Sequence, residues 1–449
     1  MTALSKSNRR PFRRRLALAG LLVALWALIL PTRSVQADDT TIQGLHIRVN
    51  KPGGKDLPLA LPRPKGNSAS VDALWELLNR DMEISGYFRM LDPKGFIEPT
   101  DAGLSPGSFR FTDWDVSGTA ALAKTKLDTD AQGRLVAEIW VYDVAGRKKL
   151  LGKKLRARPE ELRVLGHRIA NEIIQAIGGE KGIFNTRIAA VSRKSGNKEI
   201  VVFDVDGFNV QPVTRNGSIN LQPAWSRDGR KLAFTSYRRG NPDLYMADLV
   251  RGKTRPVSAQ PGINSGAAFH PNGGLMALTL SNRGNSDIYT VGTNGRNRKR
   301  LTHSAGIDVS PTWSPDGSQI AFASERSGGI QIYTMDLKGG SAKRLTFNGN
   351  HNTDPSWSPQ GDRIAYVSRD GRFDVFTIKT DGSGRVRITE DMGNNEDPSW
   401  SPDGRYLAFS STRTGSPHIW MSTADNTHQM QITRGRGSYT NPAWGPPLW

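Results

Sequence analysis

Chemistry in a chain of 449 residues with no cysteine has to come from oxygen and nitrogen side chains, which excludes thiolate nucleophiles, thiolate metal sites and disulfides. Gly103-Leu-Ser105-Pro-Gly107 has the Gly-x-Ser-x-Gly spacing of a serine nucleophile. That motif works on a strand-to-helix elbow, and Pro106 with its polar surroundings predicts a loop instead. Asp128-Thr-Asp130 opens like a calcium loop, yet its twelfth position is Ile139 where a bidentate Glu is required, so a hairpin turn fits better. The seven histidines form no His-Glu-x-x-His, and no phosphate-binding glycine loop occurs. What remains is a set of polar residues at fixed distances ahead of a recurring aromatic. Five positions before it stand Asn220, Asn264, Asp308, Asn352, Asn395 and Tyr439; three before it stand Gln222, Gly266, Ser310, Asp354, Asp397 and Asn441. With Glu396, such groups converging on one axis would make a polar site for a peptide loop or a hydrated cation. Asn and Asp are equally ordinary turn formers, and the residues alone leave both readings open.

The elements that must position these groups are repeats. The aromatic recurs at 225, 269, 313, 357, 400 and 444, in steps of 44 except for one of 43 between 357 and 400. Full copies read like Pro311-Thr-Trp313-Ser-Pro-Asp-Gly317; the second unit departs, with Ala267, Phe269 and Asn272 in place of Pro, Trp and Asp. Ser-Pro-Asp-Gly suits a type I turn. A β-rich strand follows (Ile320–Ser324), then a third (Ile330–Asp336) and a short basic fourth (Lys343–Thr346). Four strands per unit, none able to bury its faces alone, predict a β-propeller. Upstream, Ile188–Ser192, Ile200–Asp204 and Val210–Thr214 are the last three strands of a blade lacking its first, and Pro442-Ala-Trp444 is a first strand lacking the rest. The ring therefore has six blades, closed by the C-terminal strand, with the aromatics packed between blades.

Before the repeats, residues 1–37 read as a cleaved secretory signal: a basic start, the apolar run Leu16 to Leu30, and small residues Val35 and Ala37. Arg9-Arg10 leaves a twin-arginine export signal open. Residues 38–183 predict a small α/β domain. Val71, Leu74, Trp75, Leu78 and Met82 recur at helical spacing behind Ser70, whose hydroxyl is expected to cap the helix, and a second helix starts at Pro159 and stops at Gly178-Gly179. Asp115–Leu122 and Leu135–Tyr142 read as strands. Residues 184–449 form the propeller. The formal charge of +19 falls to +12 without the leader's seven basic residues, and most of that lies along the propeller, so the balance does not argue for nucleic acid in an exported protein. No second segment is long and apolar enough to span a membrane.

The leader, the stretch Gly182-Ile-Phe-Asn-Thr-Arg-Ile-Ala-Ala190, the Trp-Ser-Pro-Asp-Gly units and Asn441-Pro-Ala-Trp-Gly-Pro446 together resemble the TolB family, periplasmic components of the Tol–Pal system of Gram-negative bacteria. The resemblance implies a monomeric, non-enzymatic periplasmic adaptor without cofactor or metal, with other envelope proteins as further partners. Its propeller would bind the lipoprotein Pal through the channel mouth, using Asn220, Gln222, Asn264, Asp308, Ser310, Asn352, Asp354, Asn395, Glu396, Asp397 and Asn441. Its mature N-terminus would bind TolA through Asp38, Asp39, Thr40, Thr41, Ile42, His46, Ile47 and Arg48. The assembly would maintain outer-membrane integrity and aid constriction at division. The competing reading is a secreted propeller hydrolase or lyase acting on envelope polymers.

Overall fold

The computed structural model describes residues 37–38, 57–99, 101–282, 284–337, 340–390 and 392–448. Its N-terminal part is a six-stranded sheet in the order β1-β6-β5-β4-β2-β3, formed by β1 Ala37–Asp38, β2 Leu57–Ala60, β3 Phe88–Met90, β4 Ala121–Thr129, β5 Leu135–Asp143 and β6 Lys148–Ala157. Helices α1 Val71–Ser85 and α3 Leu162–Gly178 contribute their apolar faces to the same core as the sheet, and a short α2 spans Phe111–Val116. The two long helices pack closely at Gly166, where an added Cβ would sit 2.6 Å from the Leu77 side chain. A 3-10 turn at Pro159–Glu161 leads into α3, and the Glu161 carboxylate accepts from the Arg158 amide at 3.0 Å. Gly179, at φ 77°, ends the helix.

Two local expectations are corrected. Asp115–Leu122 is not one strand: Asp115 and Val116 end α2, the Ser117 hydroxyl donates to Trp114 O, Gly118 turns at φ 71°, and the strand begins only at Ala121. Ser70 occupies the cap position of α1, but its hydroxyl makes no capping bond.

Six four-stranded sheets follow, and the last pairs the C-terminal strand Tyr439–Trp444 with Arg187–Ser192, closing the ring as the repeats predict. Indole N–H groups reach back to the inner strand of the preceding blade: Trp225 to Ala443 O, Trp313 to Ala268 O and Trp400 to Ser356 O, each at 3.0 Å. A buried ring that also satisfies its one donor explains the preference for Trp over Phe here. The Ser-Pro-Asp-Gly turns form as expected, with Gly317 N donating to Ser314 O and the Ser314 hydroxyl donating to Asp316 at 2.5 Å. Hydrogen bonds from Ser314 and Ser318 hold the Asp316 carboxyl down at about 2.

Candidate functional site

Each inner strand breaks register with its neighbour at one place. Asn352 and Thr353 pair with Ser368 and Val367, and pairing resumes with Ser356 against Ala365, so the inner strand carries one extra residue. The same irregularity occurs in all six blades, three positions before the aromatic. The residues there, Gln222, Gly266, Ser310, Asp354, Asp397 and Asn441, all take left-handed backbone, with φ from 47° to 60°. Asp and Asn tolerate that region better than most residues, which gives their recurrence a local cause. The bulges also bring neighbouring blades into contact. Gly266 N donates to Gln222 Oε1 at 3.1 Å, the Ser310 hydroxyl donates to Asp354 at 3.2 Å, and Asn441 donates its side-chain amide to Asp397 at 2.7 Å and its backbone amide at 3.1 Å.

This half-buried ring is electrostatically uneven. Burial and the neighbouring Asp397 push the Asp354 carboxyl up to about 7, and Ser310 only partly offsets them. Burial likewise raises Asp397, against hydrogen bonds from Asn441 and Ser410 and the attraction of Lys198. Glu396 is raised by burial and by Asp397. Three carboxylates thus face hydroxyls, amides and the charge of Lys198.

The residues five before the aromatic lie elsewhere than the sequence reading places them. Asn220, Asn264, Asp308, Asn352, Asn395 and Tyr439 are buried inside the blades, not presented at the mouth. Their polar groups are spent on the scaffold. Asn395 donates to Asp374 at 2.9 Å and accepts from Arg413 at 3.0 Å, Asn352 donates to Gln331 at 2.8 Å, and Asn220 donates to Glu199 at 3.0 Å. Asp308 accepts twice from Arg326, at 3.0 and 2.9 Å. The partners Glu199, Gln331 and Asp374 lie at or near the start of third strands and also accept from a Thr two residues beyond the fourth: Thr214, Thr346 and Thr389. This knot, absent from the sequence reading, was available in it as a second series with the blade period.

Among the proposed TolA contacts, Asp38 belongs to β1, where it pairs with Lys154 of β6. Asp39, Thr40, Thr41, Ile42, His46, Ile47 and Arg48, and the leader up to residue 36, lie outside the described residues. Ser105 sits in an exposed turn, its carbonyl accepting from Ser108, with neither the strand nor the helix of a nucleophile elbow. Asp130 caps the β4–β5 hairpin by accepting from Gln132 and Arg134.

A second group of ionisable residues went unread. Where α1 and α3 meet the first propeller strands, Asp81 binds His167 Nδ1 at 2.7 Å, Arg163 pairs with Asp206 at 2.6 Å and Asp204 at 3.3 Å, and Arg187 pairs with Asp204 at 3.3 Å. Arg80 donates to Asp206 O. Burial works against the His167 charge, but Asp81, Asp204 and Asp206 raise it to about 10. Burial lifts Asp81 to about 6, which leaves it ionised at neutral pH. Asp81, His167 and Asp206 come close enough to share a metal ion. A protonated imidazole and an Arg-bound carboxylate are not free donors, so the cluster works as an ionic joint between the two parts of the chain.

A small α/β unit joined to a closed six-bladed propeller, with a ring of bulged polar residues on its inner strands, defines the architectural class. Family models agree on both parts: the TolB amino-terminal domain matches residues 45–150 and the TolB beta propeller domain residues 174–448. The chain belongs to the TolB family. Curated relatives named Tol-Pal system protein TolB include those of Anaeromyxobacter dehalogenans strain 2CP-1, 39% identical over 226 residues and 50% of each chain, and Geobacter sulfurreducens, 38% identical over 216 residues, 47% of this chain and 48% of the relative. The chain thus spans about half the length of the curated relatives it matches. The crystal structure of TolB from Acinetobacter baumannii superposes with a TM-score of 0.80 at 27% identity, covering 90% of this chain and 100% of that one. No helix among the described residues is long and apolar enough to cross a membrane.

Proposed function

We propose that this protein is a periplasmic, non-enzymatic adaptor of the Tol–Pal system, cleaved after Ala37, with an α/β domain over 38–183 and a propeller over 184–449. Its channel mouth binds Pal, and the segment beginning at Asp38 binds TolA, so that the pair maintains the outer membrane and aids constriction at division. The observation that carries the Pal half is the set of bulged residues, Gln222, Ser310, Asp354, Asp397 and Asn441, which bring side chains of neighbouring blades together with more negative than positive charge. The buried Asn220, Asn264, Asp308, Asn352 and Asn395 support that surface from behind. The test is capture of the soluble domain of Pal by the mature protein, followed by Asp354→Lys with Asp397→Lys. Capture lost in the double variant supports the reading; no capture by the wild type, or turnover of a wall polymer, refutes it. Deleting residues 38–50 is expected to abolish TolA binding and leave Pal binding intact; loss of both would show that the two sites are misassigned.

A further inference from the structure

The mouth of the channel is divided into two unlike halves. Six positions before the aromatic, just ahead of each inner strand, three consecutive blades carry Ile219, Ile263 and Ile307, exposed at 46%, 40% and 42%. The other three carry His351, Asn394 and Ser438. Of the half-buried residues two positions further in, Leu221 and Val309 are aliphatic and fall in the first half with Ser265, while Thr353, Glu396 and Thr440 are all polar. The two bulged carboxylates, Asp354 and Asp397, fall in the second half with Asn441, and the first half carries the neutral Gln222, Gly266 and Ser310.

The exposed isoleucines lie at equivalent positions. Ile219, Ile263 and Ile307 each accept a backbone hydrogen bond at the end of the second strand, from Tyr237 and Glu325 just beyond it and from Ser281, its last residue but one. Three large aliphatic side chains so placed form an arc at the entrance, and Tyr237 extends it beside Ile219. Aliphatic groups recurring at one rim position, with carboxylates across the channel, are the composition of a docking surface.

We propose that this surface takes a polypeptide loop presenting one Lys or Arg beside aliphatic side chains, the cation seated between Asp354, Asp397 and Glu396 and the aliphatic groups on the Ile219–Ile263–Ile307 arc. The proposal rests on the reading of the channel mouth as the Pal surface and names the chemistry of the partner. Charge complementarity selects the occupant. Asp354 and Asp397 repel each other, Lys198 draws on Asp397, and a basic group entering between the two carboxylates relieves their repulsion, whereas an acidic loop adds to it. The neutral half of the ring offers a cation no such gain, and the acidic half offers no aliphatic contact, so both halves are needed at once.

The test selects disulfide-constrained random loops displayed on phage against the immobilised full-length chain, and measures the winners and the soluble domain of Pal separately. Enriched loops are expected to carry Lys or Arg within two positions of Leu, Ile, Met or Phe. They are expected to weaken by about tenfold or more in Ile263→Asp/Ile307→Asp and, independently, in Asp354→Asn/Asp397→Asn. The Asn variant's deficit should shrink at high salt, while the deficit of an Ile263→Ser/Ile307→Ser variant, which adds no charge, should not. Near-ultraviolet circular dichroism of each variant separates lost contacts from lost folding. Enriched loops that are acidic, or that bind either folded variant as well as wild type, overturn the proposal. If the loops behave as expected but Pal is not bound, the Pal assignment fails and the surface stands. If Pal binds and ignores the isoleucine substitutions, the surface proposal fails and the assignment stands.

Discussion

Two clusters of buried or half-buried carboxylates sit in this molecule under opposite rules. At the joint between the α/β domain and the propeller, Asp81, Asp204 and Asp206 face Arg163, Arg187 and His167. Despite burial, hydrogen bonding and attraction from His167 and the two Arg charges hold Asp204 below its usual range. In the channel, Asp354 and Asp397 face each other, Glu396, hydroxyls and amides, with Lys198 drawing on Asp397, and both are raised. A charge neutralised within the chain holds parts together; one left short of counter-charge is available to an incoming group. The contrast separates a structural ion cluster from a recognition site more sharply than acidity alone.

The comparison breaks first at the joint. His167→Ala leaves three buried carboxylates with two Arg partners, and removing one member of such a network is expected to lower stability by about 3–5 kcal/mol in urea titration. The pH dependence fixes the sign. The folded pKa of His167, about 10, lies above the 6.5 of an unfolded imidazole. Its contribution is therefore fully present below pH 6.5 and lost as pH rises through 10, and the variant is expected to lack that decline. An unchanged alkaline limb would mean that His167 is neutral and the joint less ionic than its geometry indicates. A smaller effect is expected from Asn395→Ala, which strips Asp374 and Arg413 of a buried partner and should cost about 1–3 kcal/mol. If Asn395 is scaffold, folded variant protein retains Pal binding in calorimetry; a selective loss of binding would move that residue back to the surface.

How much of this was legible depends on the range of the signal. The blade period is written into Trp225 through Trp444, and the split blade follows from which strands lack a partner, so the fold was readable. Facing was harder. From the aromatic, residues three and five positions earlier have the same parity and would share a face in a regular strand, but the extra residue at each bulge separates them, leaving Asn352 inside the blade and Asp354 in the ring. Asp, Asn and Gly recurring at one strand position was the available sign of left-handed backbone. The helix Phe111–Val116 is too short to show a period. The joint had no local sign at all, since Asp81 and His167 stand 86 residues apart and meet only when α1 packs on α3.

The finest test of the contrast is Asp354→Asn, where removing a charge should stabilise the protein. The folded Asp354 carboxyl is raised to about 7 from an ordinary 3.8, so the folded state binds the extra proton across that interval. Stability of the wild type should therefore fall as pH rises from about 4 to about 7 and level off above it. Asparagine keeps an acceptor for the Ser310 hydroxyl and removes the repulsion with Asp397 and Glu396, so the variant should lose that decline. At pH 8 it should be the more stable by about 1–2 kcal/mol, a gain limited by screening in a water-accessible channel. Asp397→Asn should gain less, because Asp397 accepts from both donors of Asn441 and from Ser410, bonds that favour its charged form. An Asp354→Asn protein less stable than wild type at pH 8 would show that this carboxylate is fastening the ring rather than waiting for a cation, and the channel would then obey the same rule as the joint.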